Sequence, residues 1–451
     1  MEYSNLIPKE KEEINQTKTI VKYENIKNDY FLRKVFDNLS KRKTLDIVKS
    51  NKNIKNRINI NIKDYKEYSE NYSSIEIEIK PANNKYGKFI NIENFLEKFY
   101  HIYFNNNKNE VKRNYINENE QIKIIKIKID YQIKSFERLF YDLDCIESIC
   151  FKKFYRNNLI NMYCMFYKCS SLKELNLYNF NTNKITDMGF MFSKCSSLKE
   201  LNLNYFNTNN VTKMTCMFSG CSSLKELNID NFNTNNVTHM NSMFYECSQL
   251  KELNLNYFNT NNVTDMSYMF YECLSLKELS INNFNTVNVI NMNYMFYRCS
   301  SLNELILKNF NNNNVTNMGY MFADCSSLKE LNLNNFNTNN VTNMTAMFYG
   351  CSSLKDLNLN NFNTNNVTNM YGMFGGCSSL IELNIKNFNT NKVTIMDGMF
   401  YECSSLKELN LNNLDINNET RMYCMFYGCS DELIMKIKTH YKNIKEEAFK
   451  K

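Results

Sequence analysis

The segment CSSLKELNLNNFNTNNVTNMTAMFYG, which runs from Cys325 to Gly350, is one of a long series of near-copies. Its first residue recurs along the chain at a constant interval, which equals the length of the segment itself. The recurring cysteines are Cys169, Cys195, Cys221, Cys247, Cys273, Cys299, Cys325, Cys351, Cys377, Cys403 and Cys429. A fixed period of this kind is typical of a repeat protein, in which each unit buries its apolar face against its neighbours.

Two hydrophobic periods alternate inside each unit. In residues 331–333 apolar and polar side chains alternate, which predicts a half-buried strand. Met344, Met347, Phe348 and Cys351 follow the i, i+3, i+4, i+7 spacing of one helical face. The asparagine-rich stretch between these two segments favours turns. Each unit is therefore predicted to be a strand, a turn, a short helix and a second turn.

The pattern L-x-x-L-x-L-x-x-F-x-T-x-x-V-T-x-M-x-x-M-F-x-x-C resembles the BspA-like leucine-rich-repeat family, which is found in surface proteins of bacteria and protists. The resemblance covers about residues 136–430, and a degenerate copy at 146–162 precedes the regular array. It implies an α/β repeat solenoid, right-handed, with a parallel β-sheet on one face and short helices on the other. A fold of this kind says more about shape than about activity.

Stacked strands place equivalent residues in columns about 4.8 Å apart. Alternation sends the strand leucines inward and leaves a column of carboxylates and a column of asparagines on the open face. The residues predicted to bind a partner there are Glu174, Asn176, Tyr178, Glu200, Asn202, Glu226, Asn228, Glu252, Asn254, Glu278, Glu304, Glu330 and Asn332.

Two interpretations of this face stay open. A lysine column lies beside the carboxylates, so the two columns either neutralise each other on a solvated surface or form a polar platform for a protein partner. Departures from the repeat at Ser280, Ile306 and Ile381 favour a partner. The aromatic residues Tyr205 and Tyr257 also favour it, because aromatic side chains are common at interfaces.

Outside the repeats the sequence divides into four segments. These are a polar tail at 1–24, a helical module at 25–72, a β-rich capping region at 73–135 and a C-terminal capping helix at 431–451. Strands are predicted at 75–80, 88–92, 100–104 and 122–129, and the last of these is a candidate for the first rung of the parallel sheet.

The helical module resembles a degenerate F-box, in which an L-x-x-I/V-F-x-x-L-S helix precedes a second apolar helix. The resemblance implies docking on a Skp-type adaptor of cullin ubiquitin ligases. The implied contacts are Leu32, Val35, Phe36, Leu39, Leu45 and Val48. The usual Leu-Pro start is missing, and the chain contains no tryptophan. The alternative is a helical hairpin that only packs against its neighbour.

Charge and hydropathy narrow the choice of partner and location. Residues 1–136 carry 27 lysines and arginines against 19 acidic residues, whereas the remainder carries 27 against 28. Nucleic-acid binding would have to use the basic residues of 1–136, and no RNA-binding motif with interleaved aromatic residues favours it.

No apolar run reaches the length of about 18 residues that a membrane-spanning helix requires, so membrane insertion is not expected. The first residues, MEYSNLIPKEKEE, do not read as a signal peptide, so we expect a cytoplasmic protein.

Catalytic and metal-binding motifs are not apparent in the sequence. The three histidines, His101, His239 and His440, are scattered, and no C-x-x-C pair or nucleophile elbow occurs. The recurring cysteines could form disulfides between adjacent repeats, but their place on an apolar face favours buried free thiols. We expect no enzyme, no cofactor and no small-molecule substrate.

The sequence therefore predicts a non-catalytic scaffold for protein–protein interaction, with a ubiquitin-ligase substrate adaptor as its narrower form. A surface-exposed or secreted adhesin of the BspA-like type is the alternative. N-V-T triplets such as residues 210–212 would be glycosylation sites only on an exported protein.

Overall fold

The computed structural model describes residue 23 and residues 26–48, 51–178, 180–414 and 420–451. Apart from Tyr23, the predicted polar tail lies outside these residues. The chain forms two compact units, one ending at Tyr72 and one comprising Ser73–Lys451. The helices of the first unit are α1 (Asp29–Asp37), α2 (Lys41–Val48), α3 (Lys52–Arg57) and α4 (Ile62–Tyr72).

A small apolar core holds the first unit together. Its buried members are Leu32, Phe36, Leu45, Val48 and Ile54, which α1, α2 and α3 contribute. The Asn28 side chain caps α1 by accepting the N–H of Tyr30 at 2.8 Å, and Arg57 of α3 pairs with Asp29 at 2.6 Å. The apolar side chains of this amphipathic segment therefore pack against one another.

The second unit begins with a mixed five-stranded sheet. Its strands are β1 (Ile75–Pro81), β3 (Tyr100–Phe104), β5 (Ile125–Ile129), β6 (Ile146–Lys153) and β7 (Glu174–Asn176), in the order β3-β5-β1-β6-β7. A separate two-stranded sheet pairs β2 (Gly87–Lys88) with β4 (Tyr115–Ile116). A 3₁₀ helix, Asn94–Phe99, precedes β3. Of the strand predicted at 88–92, only Lys88 is in a strand, while Phe89 and Ile90 are buried outside it.

The prediction that residues 122–129 form the first rung of the parallel sheet is wrong. β5 pairs antiparallel with both β1 and β3, because the alternation of its isoleucines predicts a strand but not its direction. The first parallel pair is β6 with β7, in which Ile149 lies opposite Leu175. The degenerate copy of the repeat, at 146–162, therefore supplies the first rung.

The repeats stack in parallel register. Two further sheets contain two strands each, β8 (Glu252–Asn254) with β9 (Glu278–Ser280) and β10 (Glu382–Leu383) with β11 (Glu408–Leu409). A continuous series of single-residue parallel bridges, each joining equivalent positions of successive repeats, also runs from Ser135 to Arg421. The regular strands are short, and these bridges carry the register through the whole array.

The helices predicted inside the repeats are wrong, and turns stand in their place. Around Met344 and Phe348, some backbone N–H groups donate to the next repeat and others donate within their own turn. The N–H of Phe348 donates to the carbonyl oxygen of Met373 in the next repeat at 2.9 Å, whereas the N–H of Cys351 donates to the carbonyl oxygen of Phe348. Ala346, with φ +49°, adopts a left-handed conformation that interrupts a right-handed helix. The predicted apolar side chains are nevertheless buried, because four-residue turns give nearly the same spacing as a helix.

Two side-chain columns fill the interior of the array. Phenylalanine rings stack with centroids 5.5 to 5.7 Å apart from Phe140 to Phe426. Each recurring cysteine places its Sγ 3.0 to 3.2 Å from the carbonyl oxygen of the phenylalanine 29 residues earlier. All sixteen cysteines are free, as predicted, and the ladder thiols are buried.

The C-terminal segment replaces a further repeat. Ser430 caps α5 (Asp431–His440), which buries Leu433 and Ile437. A short 3₁₀ helix, Glu446–Phe449, follows. Beyond α5 the carbonyl oxygen of Ala448 accepts the N–H of Phe426 at 2.7 Å, and the ring of Phe449 stacks on that of Phe426. The last repeat thus finds the hydrogen-bond acceptor and the ring that a following repeat would supply.

From Thr182 to Thr390 a threonine ladder runs beside this core, and Asn312 interrupts it once within that range. Thr338, for example, donates its hydroxyl to the carbonyl oxygen of Asn363 and accepts the N–H of the same residue. At the equivalent position stands Asn312, whose side chain is 1% exposed. Its Oδ1 accepts from Thr286, but its Nδ2 is buried with no hydrogen-bond partner among the described residues, and its φ is +58°.

Replacing this asparagine with the threonine of the other repeats should stabilise the protein. An unsatisfied buried N–H group costs about 1–3 kcal/mol, and the ladder threonines of the other repeats do not have a positive φ. We therefore expect Asn312→Thr, with residue 312 returned to the backbone conformation of those threonines, to raise the free energy of unfolding by about 1 kcal/mol. Urea denaturation followed by circular dichroism measures the change. The reverse change in an intact rung, Thr338→Asn, should destabilise, and equal stabilities for all three proteins would contradict this account.

The ladder thiols should resist alkylation. Burial raises the pKa of Cys221, Cys273 and Cys351 to about 12, so at pH 9 they stay protonated in the folded protein. Mass spectrometry after iodoacetamide treatment should find the half-buried Cys150 and Cys424 labelled well before any ladder thiol.

Because the thiols of the unfolded chain ionise at pH ~8.5, the folded state should also lose stability as pH rises above that value. Labelling of the ladder at the rate of Cys150 would contradict the first expectation, and an unchanged free energy of unfolding above that pH, measured by urea denaturation, would contradict the second.

Candidate partner-binding face

The strand segments of the repeats present an exposed column of carboxylates. It comprises Glu174, Glu200, Glu226, Glu252, Glu278, Glu304, Glu330, Asp356, Glu382 and Glu408, all exposed. The leucine that follows each carboxylate is buried or half-buried, as alternation requires. Every residue predicted for the partner-binding face is exposed in the structure.

The carboxylate column forms few close ion pairs with the lysine column beside it. At its two ends Lys173 pairs with Glu147 at 2.8 Å and Lys436 lies 3.9 Å from Glu408. From Glu174 to Glu382, no carboxylate of the column lies within 4.0 Å of a cationic nitrogen belonging to a described residue. The stacking thus aligns like charges without pairing them, and the face keeps a stripe of free acceptors.

The asparagines of this face also have a structural role, which the sequence alone did not indicate. The side-chain oxygen of Asn202 accepts the N–H of Asn204 at 3.0 Å, and Asn332 and Asn334 repeat this contact. Such a bond closes a turn and ends the strand. Their amide groups still face solvent, but the repetition of asparagine is explained by the turn.

Three tyrosines extend from the edge of the face beyond the strands. Tyr178 and Tyr205 meet edge to face with ring centroids 4.7 Å apart, and Tyr257 is 66% exposed. The departures Ile306 and Ile381 place apolar side chains on the surface at 40% and 42% exposure. Aromatic and apolar groups of this kind supply contact area to a partner.

Sequence reasoning missed a tyrosine surface formed by the turn segments of the repeats. Tyr245, Tyr271 and Tyr297 form one stacked column with centroids 4.5 and 4.8 Å apart. A second column contains Tyr268, Tyr294 and Tyr320. Desolvation by burial is the main reason that the pKa of Tyr294 rises to about 12. The recurring Met-Phe-Tyr triplets at 243–245, 269–271 and 295–297 could have indicated this surface.

The F-box-like contacts are mostly interior. Leu32, Phe36, Leu45 and Val48 belong to the core of the first unit, and Leu39 packs against that core. Val35 is 37% exposed. Docking on an adaptor needs accessible side chains, so most of the predicted contacts do not present a surface to one.

The described parts of the chain hold no apparent metal site. They contain no cluster of three or more histidine, cysteine or acidic side chains that could hold a metal ion. His101 lies beside Glu110 in the β-rich region, His239 contacts Thr238 in the repeats, and His440 ends α5. No described helix has the length and apolar content to cross a membrane.

Comparison with known proteins identifies the repeat family. No curated protein sequence matches the chain. One similar solved structure is described as "Functional domain of InlJ from Listeria monocytogenes includes a cysteine ladder"; it is 12% identical with a TM-score of 0.17, over 67% of this chain and 65% of that one. Residues 134–255, 219–333, 246–356, 271–381 and 326–438 each match one family model. Together these matches run from 134 to 438, and the chain therefore belongs to the family described as "Mycoplasma protein of unknown function, DUF285".

Proposed function

We propose that the chain is a non-catalytic scaffold that binds a protein partner with a basic surface along the carboxylate column. The unpaired carboxylates from Glu174 to Glu382 carry this proposal. Like charges in a regular column repel one another, and a cationic partner would relieve that repulsion while fixing its own register. The three histidines lie on separate elements, so the proposal includes no catalytic step.

The architecture behind this proposal is a right-handed leucine-rich-repeat solenoid. Its support is the series of parallel bridges from Ser135 to Arg421 and the phenylalanine column that all repeats share. The turns described above take the place of the helices in that architecture. A solenoid presents a long and regular face, which suits an extended protein surface better than a compact small molecule.

The proposal does not extend to a ubiquitin-ligase substrate adaptor. That narrower hypothesis needs the F-box-like side chains to contact a Skp-type protein. Leu32, Phe36, Leu45 and Val48 instead pack against one another inside the first unit. Of the implied contacts, only Val35 is exposed in the structure.

The carboxylate column is tested by removing two of its charges. Glu226→Gln with Glu252→Gln keeps the shape of both side chains, and the matched control Asp187→Asn with Asp265→Asn removes the same charge from the turn side. Proteins cross-linked to each form in the source cells are quantified by mass spectrometry. We expect one partner to be recovered about tenfold less with the column variant, a loss worth about 1.4 kcal/mol, and fully with the control.

Without cross-linking, the complex with the same partner should dissociate as salt is raised, because exposed charge pairs are screened. Equal recovery of every cross-linked protein with the wild type and both variants would contradict a role for the column.

We also propose a cytoplasmic location. The support is that all sixteen cysteines are free, a state that a reducing compartment maintains. Protease added to intact cells should leave the protein whole and degrade it only after lysis. Digestion on intact cells, or glycosylation at the N-V-T triplets, would favour the surface or secreted adhesin instead.

A further inference from the structure

The repeats that begin at Cys273 and Cys299 depart from the common sequence on the loop edge, and a side-chain ladder is interrupted there. In six other repeats the Asn amide on the loop edge donates to the side-chain oxygen of an asparagine 24 residues earlier, as Asn285 does to Asn261 at 2.7 Å. Val287 stands where the next acceptor should be. The Asn311 amide therefore has no hydrogen-bond partner among the described residues, and this side chain is exposed.

A polar groove of about 810 Å³ lies at this interruption. It runs across the loop edge from Tyr257 to Asn335, and Phe258 and Phe310 line its floor. Both phenylalanines are at most 1% exposed, so the floor offers no open pocket for an apolar anchor. The remaining lining is mainly asparagine, whose amides both donate and accept hydrogen bonds.

Lys308 gives the groove a positive charge. Its side chain is exposed and forms no ion pair with any described residue. None of the described residues that line the groove is acidic. A ligand with an anionic group would therefore find one free ammonium and no opposing carboxylate.

Tyr257 gives the groove an aromatic wall. In the following repeats the equivalent residue is an asparagine that donates its amide to a backbone carbonyl of the previous repeat, as Asn309 does to Asn282 at 2.6 Å. Tyrosine cannot make that amide contact, and its ring is 66% exposed. An exposed ring offers an apolar surface beside a polar hydroxyl, which suits the apolar side of a sugar ring.

From these contacts we propose that the groove between Tyr257 and Asn335 binds an oligosaccharide that carries an acidic group. Lys308 pairs with the carboxylate or sulfate, the free Asn311 amide binds hydroxyl groups, and Tyr257 packs against a sugar ring. A peptide is a poorer match, because the closed apolar floor provides no pocket for an anchoring side chain. This site lies on the loop edge and does not use the carboxylate column.

Calorimetric titration with hyaluronan tetrasaccharide, heparin-derived tetrasaccharide and neutral chitotetraose tests the proposal on the full-length protein. The first two probes separate a carboxylate ligand from a sulfated one. We expect one of them to bind, with Lys308→Asn and Tyr257→Asn each weakening it about tenfold through loss of a charge-assisted bond or a ring contact. Chitotetraose should bind more weakly than the acidic probe and should be insensitive to Lys308→Asn.

Matched controls exist at equivalent positions of other repeats. Lys386→Asn and Tyr205→Asn make the same substitutions outside the groove and should leave the affinity unchanged. All four variants introduce the asparagine that other repeats carry there, so loss of the fold is not a competing explanation. The proposal is overturned if neither acidic probe binds, if the control variants weaken binding equally, or if chitotetraose binds as tightly as the acidic probe that binds.

Discussion

Each turn segment of the array donates alternate backbone N–H groups to carbonyl oxygens of the next repeat. The phenylalanines of the ladder from Phe140 to Phe400 make this bond to a methionine at 2.9 to 3.0 Å, as in Phe244 to Met269. This bond fixes the register of one repeat on the next, so equivalent residues of successive repeats stack on one another. The stacked phenylalanines and the buried cysteine ladder are consequences of that register.

A register of this kind also sets the surface chemistry. Because each exposed residue type forms its own column, charge accumulates along the array, and the carboxylates from Glu174 to Glu382 align without cationic partners among the described residues. Much of the regular asparagine content, by contrast, is consumed in closing turns and bridging adjacent repeats. Surface function is therefore found either in charge that the stacking leaves unpaired or in positions where the repeat is broken.

Three breaks of the repeat lie together beside the groove. Val287 removes an acceptor from the amide ladder, Asn312 leaves a buried amide unsatisfied, and Lys308 adds an unpaired charge. Each of the first two changes forfeits hydrogen bonding that most other repeats retain, which lowers stability. Such losses are expected where a surface serves binding, because binding and stability favour different side chains.

The sequence by itself determined the stacking of equal repeats, the buried cysteine and Met-Phe columns and the exposed carboxylates, because strict periodicity dictates which residues face the shared core. It could not distinguish helix from turn around Met344 and Phe348, since both conformations give similar apolar spacing. Only the tertiary structure decided this, by sending alternate N–H groups to the next repeat. It alone also showed that β5 runs antiparallel, that the F-box-like residues form a core, and that a groove opens beside Tyr257. These features depend on contacts between distant residues, which no local pattern encodes.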